Sequence, residues 1–519
     1  MTEPLAATRE VGLGRVAVPS RGTDTADAID TTDTTDTTDT TKTGGGPTGR
    51  RRRSPVPRRD RWTNGPVVGL GCLFVGCATL LQLVRSTGVP SWDSLWQEDG
   101  GIFLTDALHR HLTDTLTRPY NGYLHVVPRL LAALAVHLPL RDAGWVFAVS
   151  SALVVSLVAV YVWWASRLLI AAAWARALLA VLVCLAPVSA YETDNNINNL
   201  HWYLLFALAF VPFSRPRTRW GVSLNLAVVV FAVLSDSEAL LLVPLFLPAA
   251  WRGLRQRQLG QLLVPAAVAV CLVVQLAVGA AGKQPGRYTS SHWSDLPGIY
   301  AFRVAASFLL GDRYLPRLYD AHGLAFAYLC LTVLVLLLIG AALVSRASRP
   351  LLAVTALGSA LFLGVPLMLR GTENFLTRPG ATLNGSRYAL LPVLFLATGL
   401  LGAAARLAPR LTDTGGRART APSIVLLLTL SIVGYNYADF NVRGPGPSWR
   451  AELARAAATC RQTADQPREH TTSADNPYGT TTSPGEVSVP VSPSLPQEVP
   501  FAVVIACREL RRDLGSQSP

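Results

Sequence analysis

Residues 324–344 read LAFAYLCLTVLVLLLIGAALV, an unbroken apolar run without a charge. At 1.5 Å per residue a helix of this length rises about 30 Å, the thickness of a bilayer's hydrocarbon core. No water reaches the backbone at that depth, so the segment must satisfy its own amides, as an α-helix does. Ten more apolar runs repeat the pattern: 66–86, 143–165, 174–190, 200–213, 221–234, 239–251, 261–280, 350–369, 388–405 and 421–438. Half of the 519 residues are hydrophobic, 15% are charged, and mean hydropathy is +0.33. The expectation is an all-α polytopic membrane protein with about 11 transmembrane helices.

Charge sets an orientation. The net charge is +13, and only Lys42 and Lys283 among the 46 basic residues are lysine. That bias, with abundant alanine, points to a high-GC bacterial genome and a bacterial plasma membrane. Most positive charges flank apolar runs, so topology and lipid headgroups account for them better than nucleic acid does. The positive-inside rule then puts these arginines in the cytoplasm: Arg167 and Arg176; Arg215, Arg217 and Arg219; Arg252, Arg255 and Arg257; Arg346 and Arg349; and Arg406, Arg410, Arg417 and Arg419. The N-terminus is expected inside and the C-terminus outside.

Three domains follow. Residues 1–62 hold a Thr/Asp low-complexity stretch (23–42) and an arginine block, and read as a disordered cytoplasmic tail. Residues 63–439 form the transmembrane domain. Residues 440–519 form a small extracytoplasmic tail, with a helix expected over 449–459 and a strand over 501–505. Cys460 and Cys507 lie in this tail and either pair or remain free, whereas the other five cysteines sit in apolar runs as packing residues.

Two apolar stretches need a different reading. Residues 221–251 are interrupted by Ser235, Asp236, Ser237 and Glu238 and have basic flanks, which predicts a hairpin of two short helices. Each half rises about 21 Å, so its acidic tip lies below the outer surface. Residues 127–140 are too short to cross and read as an interfacial helix.

Candidate chemistry gathers in the outer segments. Gln97, Glu98, Asp99, Gly100 and Gly101 follow the first span. Glu98 and Asp99 either cap a helix over 102–112 or face a pocket as base or cation ligand. Tyr123, His125 and Arg129 lie in a polar, aromatic stretch that is either an interfacial belt or the mouth of a polar cavity. Residues 191–202 include Glu192, Asp194, Asn195, His201 and Trp202 among four asparagines. This density suits sugar hydroxyls, with Trp202 as an apolar platform, or else marks a solvated loop. Arg287 and Arg313 (loop 281–323), with Arg387 and Tyr388 at the head of a span, suit lipid phosphate, as partner or as headgroup. No phosphate-binding glycine loop, dinucleotide turn or His-Glu-x-x-His motif occurs, so a soluble nucleotide site is unsupported.

This layout resembles the GT-C superfamily of polyprenyl-phosphate-dependent membrane glycosyltransferases, which includes protein mannosyltransferases and aminoarabinose transferases. Glu98 and Asp99 match its acidic pair after the first span. Residues 123–128 sit where its His/Pro segment belongs. The resemblance covers roughly 66–215 in pattern and 216–438 in general layout. It implies a polyprenyl-phosphate sugar donor, a glycan, lipid or protein acceptor in the cell envelope, Asp99 or Glu98 as general base, and arginines on the leaving phosphate. It leaves a divalent cation, Mg or Mn, open as cofactor. The alternative is a transporter or flippase of lipid-linked envelope precursors, for which Asp236 and Glu238 are the charged groups within the helices.

Overall fold

The computed structural model describes residues 65–281, 290–375, 385–407, 420–438, 441–462, 485–493 and 501–515. The N-terminal tail and Arg287 lie outside the described residues.

Each apolar run is helical. The chain begins with α1 (Gly65–Leu83). The following loop carries a π-helical turn (Asp99–Leu104) and the short helices α2 (Thr105–His109), α3 (Leu112–Thr117) and α4 (Val126–Ala135). Then come α5 (Ala143–Ala165), α6 (Ala173–Leu185), α7 (Leu200–Ser214), α8 (Arg219–Val233), α9 (Val243–Arg255) and α10 (Leu259–Ala281). Three short helices follow: α11 (Leu296–Ile299), α12 (Ser307–Leu310) and α13 (Leu315–His322). The bundle closes with α14 (Ala325–Val344), α15 (Arg349–Arg370), α16 (Arg387–Leu407) and α17 (Thr420–Tyr435). The expected interfacial helix over 102–112 is divided into the π-helical turn and α2. The run 174–190 stops being helical at Leu185, because Pro187 disfavours helical geometry at Ala186.

Six helical segments among the described residues are long and apolar enough to cross a membrane: Leu140–Leu168, Ser237–Arg255, Leu259–Ala281, Ala325–Val344, Arg346–Arg370 and Arg387–Leu407. The remaining apolar helices have 10–17 residues. Length and composition thus identify six candidate crossings, where the sequence reading had eleven. The membrane segments divide by environment. The apolar window of α16 is 89% buried inside the protein, whereas that of α14 is 11% buried. An apolar helix buried all round is surrounded by other helices, and one apolar but exposed faces lipid.

The C-terminal tail is more ordered than its sequence suggested. It contains α18 (Trp449–Gln462), β1 (Glu486–Pro490), β2 (Ala502–Ala506) and α19 (Cys507–Gly515). The strands pair antiparallel with Val487 opposite Ile505 and Val489 opposite Val503. Alternation puts Val487 and Val489 inward and leaves Ser488 exposed. A Cys460–Cys507 disulfide ties α18 to α19.

Candidate active site

The acidic pair is held from above by the tail. Ser492 donates its amide to the Leu95 carbonyl (2.9 Å). A Cβ on Gly100 would lie 2.6 Å from Val491 and 3.0 Å from Val503, so only glycine lets the strands pack this closely on the π-helical turn. The two neighbouring carboxylates then meet different surroundings.

Asp99 is buried. Its Oδ2 accepts the Ile197 amide and its Oδ1 the Asn198 amide, both at 2.9 Å. Burial pushes its carboxyl up to about 7, against those two amide bonds and the Arg443 guanidinium, which favour the charged form. Both oxygens are therefore engaged in anchoring the 191–199 loop. Glu98 differs. Tyr120 donates its hydroxyl to Oε1 at 3.4 Å, while Oε2 is buried without a hydrogen-bond partner. Arg387 lies close enough to interact with the Glu98, Tyr120 and Glu192 charges. Its half-buried guanidinium makes no hydrogen bond among the described residues. Glu192 is held away from it in role, accepting the backbone amides of Gly385 (2.8 Å) and Arg387 (3.2 Å) at the start of α16. A carboxylate favours that position because the unpaired amides of a helix start carry partial positive charge.

The 191–199 loop is not solvated. Asp194, Asn195, Asn196, Asn198 and Asn199 are all buried. Asp194 pairs with Arg85 at 2.8 Å, both side chains being 2% exposed. Arg85 also donates to Ser189 and to the Ala186 carbonyl. Asn195 sits at φ +57 and donates to the Gln82 carbonyl, and Asn196 and Asn199 donate to the Glu192 carbonyl. Arg443 donates to the carbonyls of Asp194 and Asn195. The side-chain NH2 groups of Asn195, Asn196 and Asn199 are thus engaged with this chain's own backbone, while the Oδ1 atoms of Asn195, Asn198 and Asn199 are buried without a hydrogen-bond partner. Trp202 is fully buried and packs on His201 and Tyr388, so it is no open platform for a sugar ring.

A second polar cluster borders the first. His201 Nδ1 meets Asp236 Oδ2 at 2.5 Å, and Asp236 Oδ1 caps the next turn through the Glu238 amide (2.7 Å). Arg370 lies 3.8 Å from Glu238 and donates to the Tyr388 hydroxyl at 2.8 Å. His125 lies between two carbonyls, Ser235 (2.6 Å) and Asn198 (2.9 Å); burial pushes its imidazole down to about 3, so the neutral ring donates its single N–H to one of them. It works as a pin between segments. Gln275 of α10 adds a second pin, bonding both backbone groups of Leu124.

The remaining expected site residues fall into two groups. Tyr123 is buried beside His125 and within reach of the Arg370 charge. Arg129 pairs with Asp106 at 3.0 Å and lies over the Phe103 ring, bracing the first loop. Arg313 is drawn elsewhere, donating to the Tyr435 carbonyl and lying over the Tyr435 ring at the end of α17. The sequence reading did not assign Arg85 or Arg443 to the site. A signal existed for Arg85, a charge inside the apolar run 66–86, but none for Arg443 in the polar tail. Among the described residues no group of three or more His, Cys, Asp or Glu side chains is placed to hold a metal ion. One open oxygen on Glu98 does not make a cation site.

No family model matches this chain, and no curated protein matches it. A search of solved structures returns an oligosaccharyltransferase from Archaeoglobus fulgidus, solved in complex with Zn and sulfate, at 14% identity and a TM-score of 0.38. The match covers 76% of this chain and 56% of that one, so this chain spans little more than half the length of that protein. A likeness this coarse carries no weight for function.

Proposed function

We propose that this chain is an integral membrane glycosyltransferase that moves a sugar from a polyprenyl-phosphate donor to an envelope glycan, lipid or protein acceptor on the outer face of the membrane. The observation that carries this reading is Glu98, whose Oε2 is buried and unbonded, within reach of the charge of Arg387, whose guanidinium lies over the Tyr388 ring and makes no hydrogen bond among the described residues. A carboxylate with an open oxygen accepts a proton, and a guanidinium holds phosphate oxygens in a fork.

In this reading an acceptor hydroxyl attacks the anomeric carbon and passes its proton to Glu98. The new glycosidic C–O bond forms as the bond to the lipid phosphate breaks. Arg387 neutralises the charge that develops on the departing phosphate. Attack opposite the leaving group inverts the anomeric centre. Asp99 serves as a positioning residue, since its oxygens hold Ile197 and Asn198. The tail 440–519 lies outside the membrane, and 1–62 inside.

A second reading, a transporter of lipid-linked precursors, draws on one observation: the buried His201, Asp236 and Glu238 form an ionisable cluster with the half-buried Arg370. The test separates the two. A deletion strain is complemented with wild type or Glu98→Gln at matched membrane levels, and envelope glycans are profiled by mass spectrometry. Glu98→Gln keeps the Tyr120 contact, so the protein is expected to fold while transfer falls about 10²–10⁴-fold. Unchanged glycans in the deletion strain would sink the transferase.

A further inference from the structure

α7 starts just after the loop that Asp99 binds and is followed by arginines at its other end. α7 runs from Leu200 to Ser214, 15 residues or about 22 Å. Arg215 follows at φ +41, a left-handed backbone that side chains other than glycine seldom adopt. Next to it lie two neighbouring open cavities of about 550 Å³ each, one between α7, α8, α9 and α10 and the other between α7, α9 and the pair Leu168 and Leu169. Arg215 and Arg252 line both, with Asn225, Gln256 and Gln261 in one of them. No Asp or Glu lines either cavity. Residues 214–219 and 252–258 contain six arginines and no acid.

Arg252 donates its Nε to the Pro248 carbonyl (3.1 Å), which fixes the root of its guanidinium and leaves the terminal nitrogens available. The Arg215 side chain makes no hydrogen bond among the described residues, and its carbonyl accepts from Arg167. Trp220 and Trp251 stand exposed beside the cavities, at 86% and 67%. Exposed tryptophans of this kind mark the headgroup level of a bilayer.

We propose that these cavities form a binding site for a phosphate-bearing anion at headgroup depth, on the membrane face opposite Glu98, with Arg215 and Arg252 as its two guanidiniums. Two positive charges without a carboxylate in the lining call for an anion, and the forked geometry of guanidinium suits phosphate. The phosphate comes either from a lipid of that leaflet or from solution. The site does not depend on the reading of Glu98.

The test uses the full chain in phosphatidylcholine nanodiscs, with phosphatidylglycerol or inorganic phosphate as probe. Native mass spectrometry reads phosphatidylglycerol retention, and the melting temperature reads phosphate. Arg252→Gln is expected to weaken retention roughly 5-fold, and Arg215→Gln with Arg252→Gln about 30-fold, the size of two guanidinium contacts at an anionic surface. Arg346→Gln, on an exposed turn outside the cavities, should retain the lipid as wild type does. A melting shift with inorganic phosphate, absent in the double variant, would instead make the occupant a soluble phosphate. The proposal is overturned if the double variant matches wild type with both probes, or if Arg346→Gln loses as much. A melting temperature without probe, unchanged in each variant, separates loss of the site from loss of the fold.

Discussion

Both ends of α7 are polar, and they use their polar residues in opposite ways. Before Leu200, the loop from Ala186 to Asn199 is almost wholly buried and bonded to segments far away in the chain. After Ser214, the turn bears Arg215, Arg217 and Arg219 at an exposed rim. Polar groups that must be desolvated need fixed partners, and those partners fix geometry in turn. The buried end is therefore where chemistry can be positioned to fractions of an ångström. The exposed end keeps its charges hydrated, which suits topology and reversible contact with headgroups.

The comparison can be broken by substitution at each end. The largest effect on stability is expected at the buried end. Arg85→Ala leaves Asp194 charged and without its partner, and should cost about 3–5 kcal/mol. Melting in detergent measures it, and a loss below about 1 kcal/mol would mean that the loop is not held as described. Gly100→Ala comes next. The added methyl meets Val491 at 2.6 Å, so overpacking should cost roughly 1–3 kcal/mol and displace the tail from the acidic pair. Proteolysis of the tail and the glycan profile read the two consequences separately.

A pH effect sharpens the contrast between Glu98 and Asp99. In the folded protein Asp99 is raised from 3.8 to about 7. A group raised on folding contributes stability that is full below about pH 4 and lost as the pH rises through about 7. Asp99→Asn removes that slope and also one amide bond, since an amide offers a single acceptor to two donors. The expected melting profile is lower and flatter between pH 4 and 7, whereas a slope equal to wild type would assign it to another group. The smallest effect belongs to the exposed end: Arg217→Gln should shift stability by no more than about 0.5 kcal/mol.

Much of the helical framework was legible. The run 143–165 coincides with α5, and 200–213 differs from α7 by one residue. The break within 221–251 was also legible, because Ser235 to Glu238 interrupt its apolar pattern and α8 ends before them. The burial of the amide-rich loop was not. Four asparagines read as solvated or as open to sugar, and they are buried in a loop that Arg85, Gln82 and Arg443 bind from distant segments at Asp194 and Asn195. Nor was β1 legible: a Pro-, Ser- and Thr-rich tail gives little strand signal, and Glu486–Pro490 becomes a strand by pairing with β2.

By itself the sequence determined that this chain is helical and built for a membrane. That information is local, since the length and apolarity of each run set the cost of leaving its backbone unpaired in lipid. Only tertiary structure decided which carboxylate of the acidic pair keeps an open oxygen. Glu98 and Asp99 are adjacent in the chain and alike in chemistry. They differ because the amides of Ile197 and Asn198, about a hundred residues on, close on one of them and not on the other.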